Sequence, residues 1–411
     1  MNVFLVGGAV RDRILGIDSK DNDWVVVGET PEAMIKNGFR QVGADFPVFI
    51  HPKSGDEYAL ARTERKSGKG YHGFTCDFSK EISLEDDLKR RDLTINAMAI
   101  SSTGELIDPY NGKKDLQNKI LRHVSNSFSE DPLRVLRVAR FMSRYSHLGF
   151  TVAEETIELM KSLRTELVYL TPERVWKELS RALLEKTPSA FFETLRKCNC
   201  LESVIPEVDK LFGIPQPKEH HPEIDTGVHS MMALDASAML SNKLEVRFAA
   251  LVHDLGKTVT SKDEWPAHRL HEIKGVSLID NMCDRLKIPN DCRILAKNSS
   301  QFHLHVHNAF KLQAKTVINL FSQVDAFRNK TKFEDFLVVC EADSKGRLGF
   351  EQRAYPQSNY LLSLFLIAKK QPVQPLLDAG YSGEKLGILL RAKRIMEVKK
   401  VVREEREKNM D

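Results

Sequence analysis

The pattern of apolar and polar positions divides the chain into two parts. In the first 125 residues, short apolar runs rich in β-branched side chains, such as Val3–Val6 and Trp24–Val27, stand beside Gly or Asp and predict strands. From about Asp131 onward, apolar residues recur at helical spacing, as in LRVLRVARFMSR and ERVWKELSRALLE. Thr171 followed by Pro172 is typical of a helix start, with threonine at the cap and proline in the first turn. A mixed α/β segment followed by helices is therefore predicted.

A proline-rich stretch, residues 213–222, interrupts the helical pattern, and we expect a domain boundary there. Helical patterning returns at 228–330, now with many histidines. Charges of mixed sign at helical spacing over 391–411 favour a solvated terminal helix over an RNA-contacting tail. The predicted class is α+β, with a head of mixed sheet and helices at 1–125, an all-α neck at 126–215, a helical domain at 216–330 and a helical tail at 331–411.

Composition narrows the class of protein. Of 411 residues, 42% are hydrophobic and 29% charged, which excludes wholesale disorder and a disulfide-stapled miniprotein. No apolar run is long enough to span a membrane, and we do not expect the charged start MNVFLVGGAVRDRILG to act as a signal peptide. Six scattered cysteines without a Cys-x-x-Cys predict reduced, buried thiols and a cytoplasmic protein. A net charge of +4 permits a nucleic-acid partner but requires any basic surface to be local.

Two carboxylates stand at a predicted strand. Asp21 and Asp23 are two residues apart, so both point to one face of the strand, where a hard divalent cation such as Mg²⁺ would relieve their repulsion. Upstream, Gly7-Gly8 joins a strand to a helix that carries Arg11, which suits phosphate binding. The alternatives are a solvated acidic turn and a plain tight turn. The combination of both features favours a metal-dependent phosphate site.

These segments resemble the head motifs of class II nucleotidyltransferases, the family of the CCA-adding tRNA nucleotidyltransferases and bacterial poly(A) polymerases. The resemblance continues through a ribose motif at residues 90–99, a hinge motif at 108–112, a base-templating motif at 130–134 and a last neck motif at 174–179. It implies Mg²⁺-dependent nucleotidyl transfer. It also implies ATP or CTP binding by Gly8, Arg11, Arg91, Asp92, Asp131, Arg134, Arg137 and Arg140.

Four arginines, Arg134, Arg137, Arg140 and Arg144, lie on one face of a predicted helix, with Leu133, Leu136, Val138 and Phe141 available for the other side. A solvated face is the alternative, but guanidinium groups near a metal-carboxylate site suit a triphosphate. The resemblance implies that Arg137 and Arg140 hold the triphosphate. It also implies that Asp131 and Arg134 read the base. A carboxylate and a guanidinium together match the amine and ring acceptors of C or A and reject U and G.

Another basic element lies between the motifs. Residues 65–73, RKSGKGYHG, combine three glycines with basic side chains and predict either a surface loop or a mobile element that positions primer or base.

Nine of the thirteen histidines fall between His220 and His307. His253-Asp254 followed by Gly256-Lys257, with His229 upstream, resembles the HD superfamily of metal-dependent phosphohydrolases; a structural His–Asp pair is the alternative. The resemblance implies that His229, His253 and Asp254 bind a transition metal such as Ni²⁺, with His271, His303 and Asp343 completing the site. His220, His221, His305 and His307 are expected in loops or on the surface.

The two resemblances together imply a CCA-adding nucleotidyltransferase with a phosphohydrolase domain of the gamma-proteobacterial type. The expected partners are tRNA, ATP and CTP, and the expected assembly is a monomer or homodimer. The expected catalytic residues are Asp21, Asp23, His253 and Asp254. The expected tail activities are 2′,3′-cyclic phosphodiesterase, 2′-nucleotidase and phosphatase. A poly(A) polymerase and an HD nucleotide phosphohydrolase with a binding-only head are the alternatives.

Overall fold

A computed structural model describes residues 1–18, 22–42, 48–66, 74–219 and 221–408 of the chain. The chain forms two compact units, Met1–Val204 and Ile205–Asp411. The proline-rich stretch lies inside the second unit, where Pro215 pairs with Asp225 in an isolated antiparallel bridge. The four-part division of the sequence stays a prediction.

The first unit contains all the strands of the described residues. They are β1 (Asn2–Val6), β2 (Asp23–Val27), β3 (Arg40–Val42), β4 (Val48–Ile50), β5 (Glu57–Leu60), β6 (Thr63–Lys66), β7 (Phe74–Asp77), β8 (Ala99–Ser101), β9 (Leu106–Ile107), β10 (Ile120–Leu121) and β11 (Thr151–Val152). The two runs predicted as strands are confirmed as β1 and β2.

Seven strands form one mixed sheet in the order β3-β4-β5-β2-β1-β8-β9. β2 runs parallel to β5, whereas β1 pairs antiparallel with both β2 and β8. Successive side chains of β2 point to opposite faces, so Val25 and Val26 join separate buried clusters on the two sides of the sheet. Core packing on both faces of the sheet therefore anchors β2, the strand that begins with Asp23.

The first unit also contains nine α-helices within the described residues. They are α1 (Gly8–Ile14), α2 (Pro31–Lys36), α3 (Leu84–Lys89), α4 (Gly112–Asn118), α5 (Leu133–Tyr145), α6 (Glu154–Ser162), α7 (Pro172–Leu183), α8 (Ser189–Lys197) and α9 (Leu201–Val204). The predicted helix start is confirmed, since Thr171 is the N-cap of α7 and Pro172 its first residue, although the threonine side chain makes no capping hydrogen bond. α5 packs against α7 and α8.

The second unit is helical throughout its described residues. Its helices are α10 (Pro206–Asp209), α11 (Thr226–Leu240), α12 (Leu244–Val252), α13 (His271–Leu286), α14 (Asn290–His307), α15 (Ala314–Gln323), α16 (Lys330–Lys345), α17 (Pro356–Lys369), α18 (Gln374–Asp378) and α19 (Gly383–Lys408). α12 and α16 pack on each other and on both α11 and α14, and α13 packs on α14. The terminal helix α19 covers residues 391–408 and packs on α15 and α17, with Val398 and Val402 buried.

The α+β class is confirmed. Five cysteines are buried and free, namely Cys198, Cys200, Cys283, Cys292 and Cys340. None of the helices in the described part of the chain combines the length and apolar character that crossing a bilayer requires.

Candidate active sites

A polar cleft of about 1070 Å³ opens in the first unit. Ten arginines and one lysine line it against five aspartates, a charge balance that favours a polyanion. The lining includes all of the nucleotide-binding residues predicted from the sequence: Gly8, Arg11, Arg91, Asp92, Asp131, Arg134, Arg137 and Arg140. Residues that are far apart in the sequence thus converge on one cleft.

Asp23 opens β2 at the edge of this cleft, and Gly7 and Gly8 lie beside it at the start of α1. Gly7 has φ +69°, a conformation that favours glycine, and a Cβ there would lie 2.9 Å from an Arg91 guanidinium nitrogen. Asp21, the other predicted magnesium ligand, lies outside the described residues, as do residues 67–73 of the basic loop. The geometry of the carboxylate pair therefore stays a prediction.

Asp92 and Arg137 form an ion pair in the cleft, with the carboxylate buried and the guanidinium partly exposed. The Arg137 guanidinium donates to Asp92 Oδ2 with nitrogen–oxygen distances of 2.7 and 2.8 Å, and Asn96 donates to Oδ1 at 3.0 Å. Burial raises the pKa of Asp92, but Arg137 outweighs it and holds the pKa well below its usual value. Asp92 is consequently an anion that orients Arg137 in the cleft.

The predicted base-reading residues meet different partners in this structure. Asp131 Oδ2 accepts a hydrogen bond from Arg174 at 2.7 Å, while Arg134 donates to the carbonyl of Ser127 at 2.6 Å. Arg174, the first residue of the last neck motif, therefore joins Asp131 in the cleft. The expectation treated Asp131 and Arg134 as a pair and did not include Arg174 among the site residues.

The remaining arginines of α5 are also held by carboxylates. Arg140 donates to the buried Glu178 at 2.6 Å and Arg144 to Asp12 at 3.3 Å. Arg11 is buried, donating to Asp12 at 2.8 Å and to the Asn96 side chain at 2.5 Å. Of the apolar residues expected on the opposite face of α5, Leu136 and Val138 are buried in the core. Leu133 lines the cleft, and Phe141 is buried and also lines the cleft.

In the second unit, five segments bring a histidine-carboxylate cluster together. α11 carries His229, the end of α12 leads into His253-Asp254, α13 begins with His271, α14 carries His303 and α16 carries Asp343. All six side chains are buried. The six residues expected to bind metal are thus neighbours in space.

The six residues form two groups of three around Asp254. His229, His253 and Asp343 form one group, and Asp254, His271 and His303 form the other, with the ligand atoms of each group within 4.8 Å of one another. Asp254 Oδ2 lies 3.3 Å from His253 Nε2, and Oδ1 lies 3.3 Å from His271 Nε2. One carboxylate therefore faces both groups.

The cluster fits metal cations. The Nδ1 atoms of His253, His271 and His303 lie 2.8–3.0 Å from backbone carbonyls, which leaves each Nε2 directed into the cluster. His253 Nε2, His271 Nε2 and Asp254 Oδ1 are buried, and none of them has a hydrogen-bond partner in the described part of the chain. Because an unsatisfied buried polar group costs about 1–3 kcal/mol, coordination is the natural role for these atoms.

The electrostatics of the cluster also favour a cation. Burial lowers the pKa of His253, but the carboxylates of Asp254 and Asp343 outweigh it and raise this pKa to about 9. Burial lowers the pKa of His303 to about 3 and outweighs the opposing effect of the Asp254 and Asp343 carboxylates, so this imidazole is neutral and able to coordinate. Lys257 donates to Asp254 Oδ2 at 2.6 Å and also bonds Gln216, which fixes the orientation of the shared carboxylate.

Two histidines expected in loops or on the surface contact this cluster. The expectation is wrong for His307, which ends α14, whereas His221 lies in a loop but is buried. His307 Nε2 lies 2.6 Å from Asp343 Oδ2, and the buried His221 packs edge-on against His229 with ring centroids 4.6 Å apart. The spacing of four between His303 and His307 on α14 is the sequence signal that could have found His307. His305 is half-buried and His220 lies outside the described residues.

Three family models match the chain. Residues 3–122 match the "Poly A polymerase head domain", residues 149–212 match the "Probable RNA and SrmB- binding site of polymerase A", and residues 226–320 match the "HD domain". The first match covers the cleft-bearing sheet and the third covers five of the six cluster residues.

Full-length relatives decide the family. A multifunctional CCA protein of Pseudoalteromonas atlantica is 56% identical over 397 residues, covering 96% of this chain and 98% of its own length. The chain belongs to the multifunctional CCA protein family. Another member, from Hahella chejuensis, is 54% identical over 402 residues and covers 97% of this chain and 95% of its own length.

Solved structures of CCA-adding enzymes share the fold. An apo form aligns with a TM-score of 0.65 at 20% identity, covering 97% of this chain and 88% of its own. A Thermotoga maritima CCA-adding enzyme complexed with tRNA aligns at 0.63 and 19% identity, covering 100% and 92%. A complex of a CCA-adding enzyme with CTP aligns at 0.63 and 20% identity, covering 100% and 91%.

Proposed function

We propose that this chain adds C, C and A to the 3′ end of tRNA from CTP and ATP, releasing pyrophosphate, and that its HD cluster hydrolyses phosphate esters. The observation that carries the proposal is the arginine-lined cleft beside Asp23 in a chain 56% identical to a multifunctional CCA protein. The relatives' name favours CCA addition over the poly(A) polymerase alternative.

The cleft residues would orient the nucleotide for transfer. Arg137, held by Asp92, and Arg140, held by Glu178, would bind the triphosphate with guanidinium groups that are already positioned. Asp21 and Asp23 would hold Mg²⁺, which supplies activation of the terminal hydroxyl and stabilisation of the leaving pyrophosphate. The 3′ oxygen forms a bond to the α-phosphorus as the bond from that phosphorus to pyrophosphate breaks.

Base selection would depend on Asp131 and Arg134, with Arg174 orienting the carboxylate. Asp131 is half-buried two residues before α5 begins, and its carboxylate, which accepts from Arg174, can also accept from the exocyclic amine of C or A. U and G present a carbonyl at that position, so an acceptor would face an acceptor. Loss of such a buried hydrogen bond costs about 1–3 kcal/mol, which supplies selectivity without a nucleic-acid template.

The HD cluster would hold one or two transition-metal ions, Ni²⁺ being one choice, between its two groups of three ligands. Metal bound there supplies a nucleophilic water at neutral pH and polarises the phosphate ester. Asp254 would be shared by both groups, with Lys257 and Gln216 fixing its orientation. We propose 2′,3′-cyclic phosphodiester and phosphomonoester bonds at RNA ends as the substrates.

Labelled CTP and ATP incorporation into tRNA trimmed by zero to three 3′ nucleotides tests the nucleotidyltransferase half of the proposal. Phosphate-ester hydrolysis by the same variants tests the phosphohydrolase half. Asp23→Ala should abolish incorporation while preserving phosphohydrolysis, whereas the double variant His253→Ala, Asp254→Ala should do the reverse. With CTP alone, wild-type protein should extend tRNA that lacks CCA; no incorporation would indicate a poly(A) polymerase. If Asp23→Ala retained full incorporation, the head would not be the transferase centre.

A further inference from the structure

A second cavity, of about 740 Å³, opens beside the HD cluster. Its volume lies within the range of about 300–1,000 Å³ typical of small-molecule sites. Two of its lining residues contact the cluster directly: His307 bonds Asp343, and His221 packs on His229. A ligand in this cavity would therefore lie next to the metal-binding groups.

The polar lining of the cavity is cationic. Arg347 and Arg353 line it, and no carboxylate is present among the described lining residues. The Arg347 charge is partly offset, because its guanidinium lies 3.3 Å from Asp343 Oδ1. Arg353 is exposed, packs over the Phe350 ring at 5.0 Å and adds a second guanidinium to the cavity lining.

The first turn of α17 contributes further anion-binding character. Tyr355, Pro356 and Gln357 line the cavity where α17 begins, and the amino end of a 14-residue helix carries partial positive charge. Tyr355 contacts His307 Nδ1 at 2.8 Å and thereby fixes the wall next to the cluster. The Gln357 side-chain oxygen is buried without a hydrogen-bond partner in the described chain.

The same cavity has an apolar side. Leu304, Ala354 and Pro356 and the Tyr355 ring supply surface against which a nucleobase or ribose can pack. A site for inorganic phosphate alone needs neither this surface nor such volume. A phosphorylated nucleoside matches all three features, since its phosphate suits the arginines, its rings suit the apolar side and its hydroxyls or amine suit Gln357.

We propose that this cavity binds the phosphorylated terminal nucleoside of the HD substrate, with Arg353 and Gln357 as specificity-determining residues. The inference rests on the proposed phosphohydrolase function and adds the site that selects the substrate. Neither residue belongs to the metal-binding groups, so both can be changed without removing a ligand.

Steady-state hydrolysis of adenosine 2′-monophosphate by the full-length chain tests this assignment. Arg353→Ala and Gln357→Ala should each raise KM by about tenfold, equivalent to about 1.4 kcal/mol, with kcat within about twofold of wild type. Arg328→Ala is the matched control, because this arginine is 88% exposed and lies outside the cavity. Bound metal, measured by elemental analysis, and CCA incorporation should be unchanged in all three variants.

Unchanged KM in both cavity variants would overturn the proposal. If wild-type protein hydrolyses no ester, the proposed phosphohydrolase function fails, and the cavity is then judged by binding alone. Calorimetric titration of adenosine 2′-monophosphate into wild type, Arg353→Ala and Arg328→Ala distinguishes binding in the cavity from binding in the head, since binding in the head is common to all three proteins. Weaker binding only in Arg353→Ala supports the cavity, and equal binding in all three rejects it.

Discussion

At the scale of single residues, buried carboxylates organise the arginines of the head cleft. Asp87 is fully buried and accepts hydrogen bonds from Arg90 at 2.6 Å and Arg91 at 3.1 Å. Asp92 and Glu178 do the same for Arg137 and Arg140. Each anion fixes a guanidinium that would otherwise lose side-chain entropy when it bound a nucleotide, which is the physical basis of preorganisation.

Asp87→Asn tests this role through pH. Burial raises the pKa of Asp87, but Arg90 and Arg91 outweigh it and hold the pKa below its usual value. Such a group stabilises the fold above its unfolded pKa of about 4, and this stabilisation is lost as the pH falls through the folded-state pKa. We therefore expect Asp87→Asn to lose about 2 kcal/mol at pH 7, less than for a fully buried pair because both arginines are partly exposed.

Denaturant unfolding followed by tryptophan fluorescence between pH 7 and pH 3 measures the difference. The stability gap between wild type and Asp87→Asn should close as the pH falls below about 4. Glu85→Gln, an exposed neighbour on α3, is the control and should track wild type throughout. A gap that persisted unchanged at pH 3 would mean that the lost stability comes from packing and not from charge.

At the scale of elements, the HD cluster depends on how closely the segments approach one another. The turn that follows Asp254 runs against the start of α13, and a Cβ on Gly256 would lie 1.9 Å from the carbonyl oxygen of His271. A backbone atom leaves no room for a side chain there. The close approach sets the distance between Asp254 and His271, which lie on different segments.

Gly256→Ala should therefore separate Asp254 from His271. We expect a loss of at least about 2 kcal/mol in stability from the overpacking and a fall in bound metal and ester hydrolysis, with CCA incorporation retained at temperatures where the variant stays folded. Gly387→Ala in α19 is the matched control, since a Cβ there meets nothing within 4 Å. Thermal unfolding and elemental analysis measure both effects. Normal metal content in Gly256→Ala would show that the approach is not required.

At the scale of the whole molecule, each unit contains its own set of chemical groups. The arginine cleft and Asp23 belong to the first unit, and the histidine cluster and its cavity belong to the second. A chain with both sets could clean a damaged tRNA end and then rebuild it. The cyclic ester would first be opened and the remaining monoester removed, which leaves the free 3′ hydroxyl that nucleotidyl transfer requires.

Trimmed tRNA ending in a 2′,3′-cyclic phosphate tests this order of events. Wild-type protein should extend it with CTP and ATP, whereas Asp254→Asn alone and Asp23→Ala alone should not. A mixture of the two variants should restore extension, and the same tRNA with a free 3′ hydroxyl should be extended by Asp254→Asn without help. Extension of the cyclic phosphate by Asp254→Asn alone would exclude a repair role for the HD cluster.

The local pattern of the sequence indicated the α+β class and several of the elements, and the family resemblance indicated most of the residues that converge on the two sites. β1, β2 and the start of α7 follow from side-chain alternation, β-branched runs and proline geometry, which act over a few residues. The family motifs added expected roles for Asp92 and Arg137, which stay predictions. These strands, the helix start and the family motifs each depend on residues close together in the sequence, so a single amino-acid sequence is enough to identify them.

Only the tertiary structure decided which groups are partners. It pairs Asp131 with Arg174, buries Asp87 beneath two arginines, and brings His221 and His307 into a cluster from which the sequence had excluded them. The cavity beside that cluster also combines residues from three separate parts of the second unit. These partnerships depend on long-range packing, which sets distances between segments that no local spacing encodes.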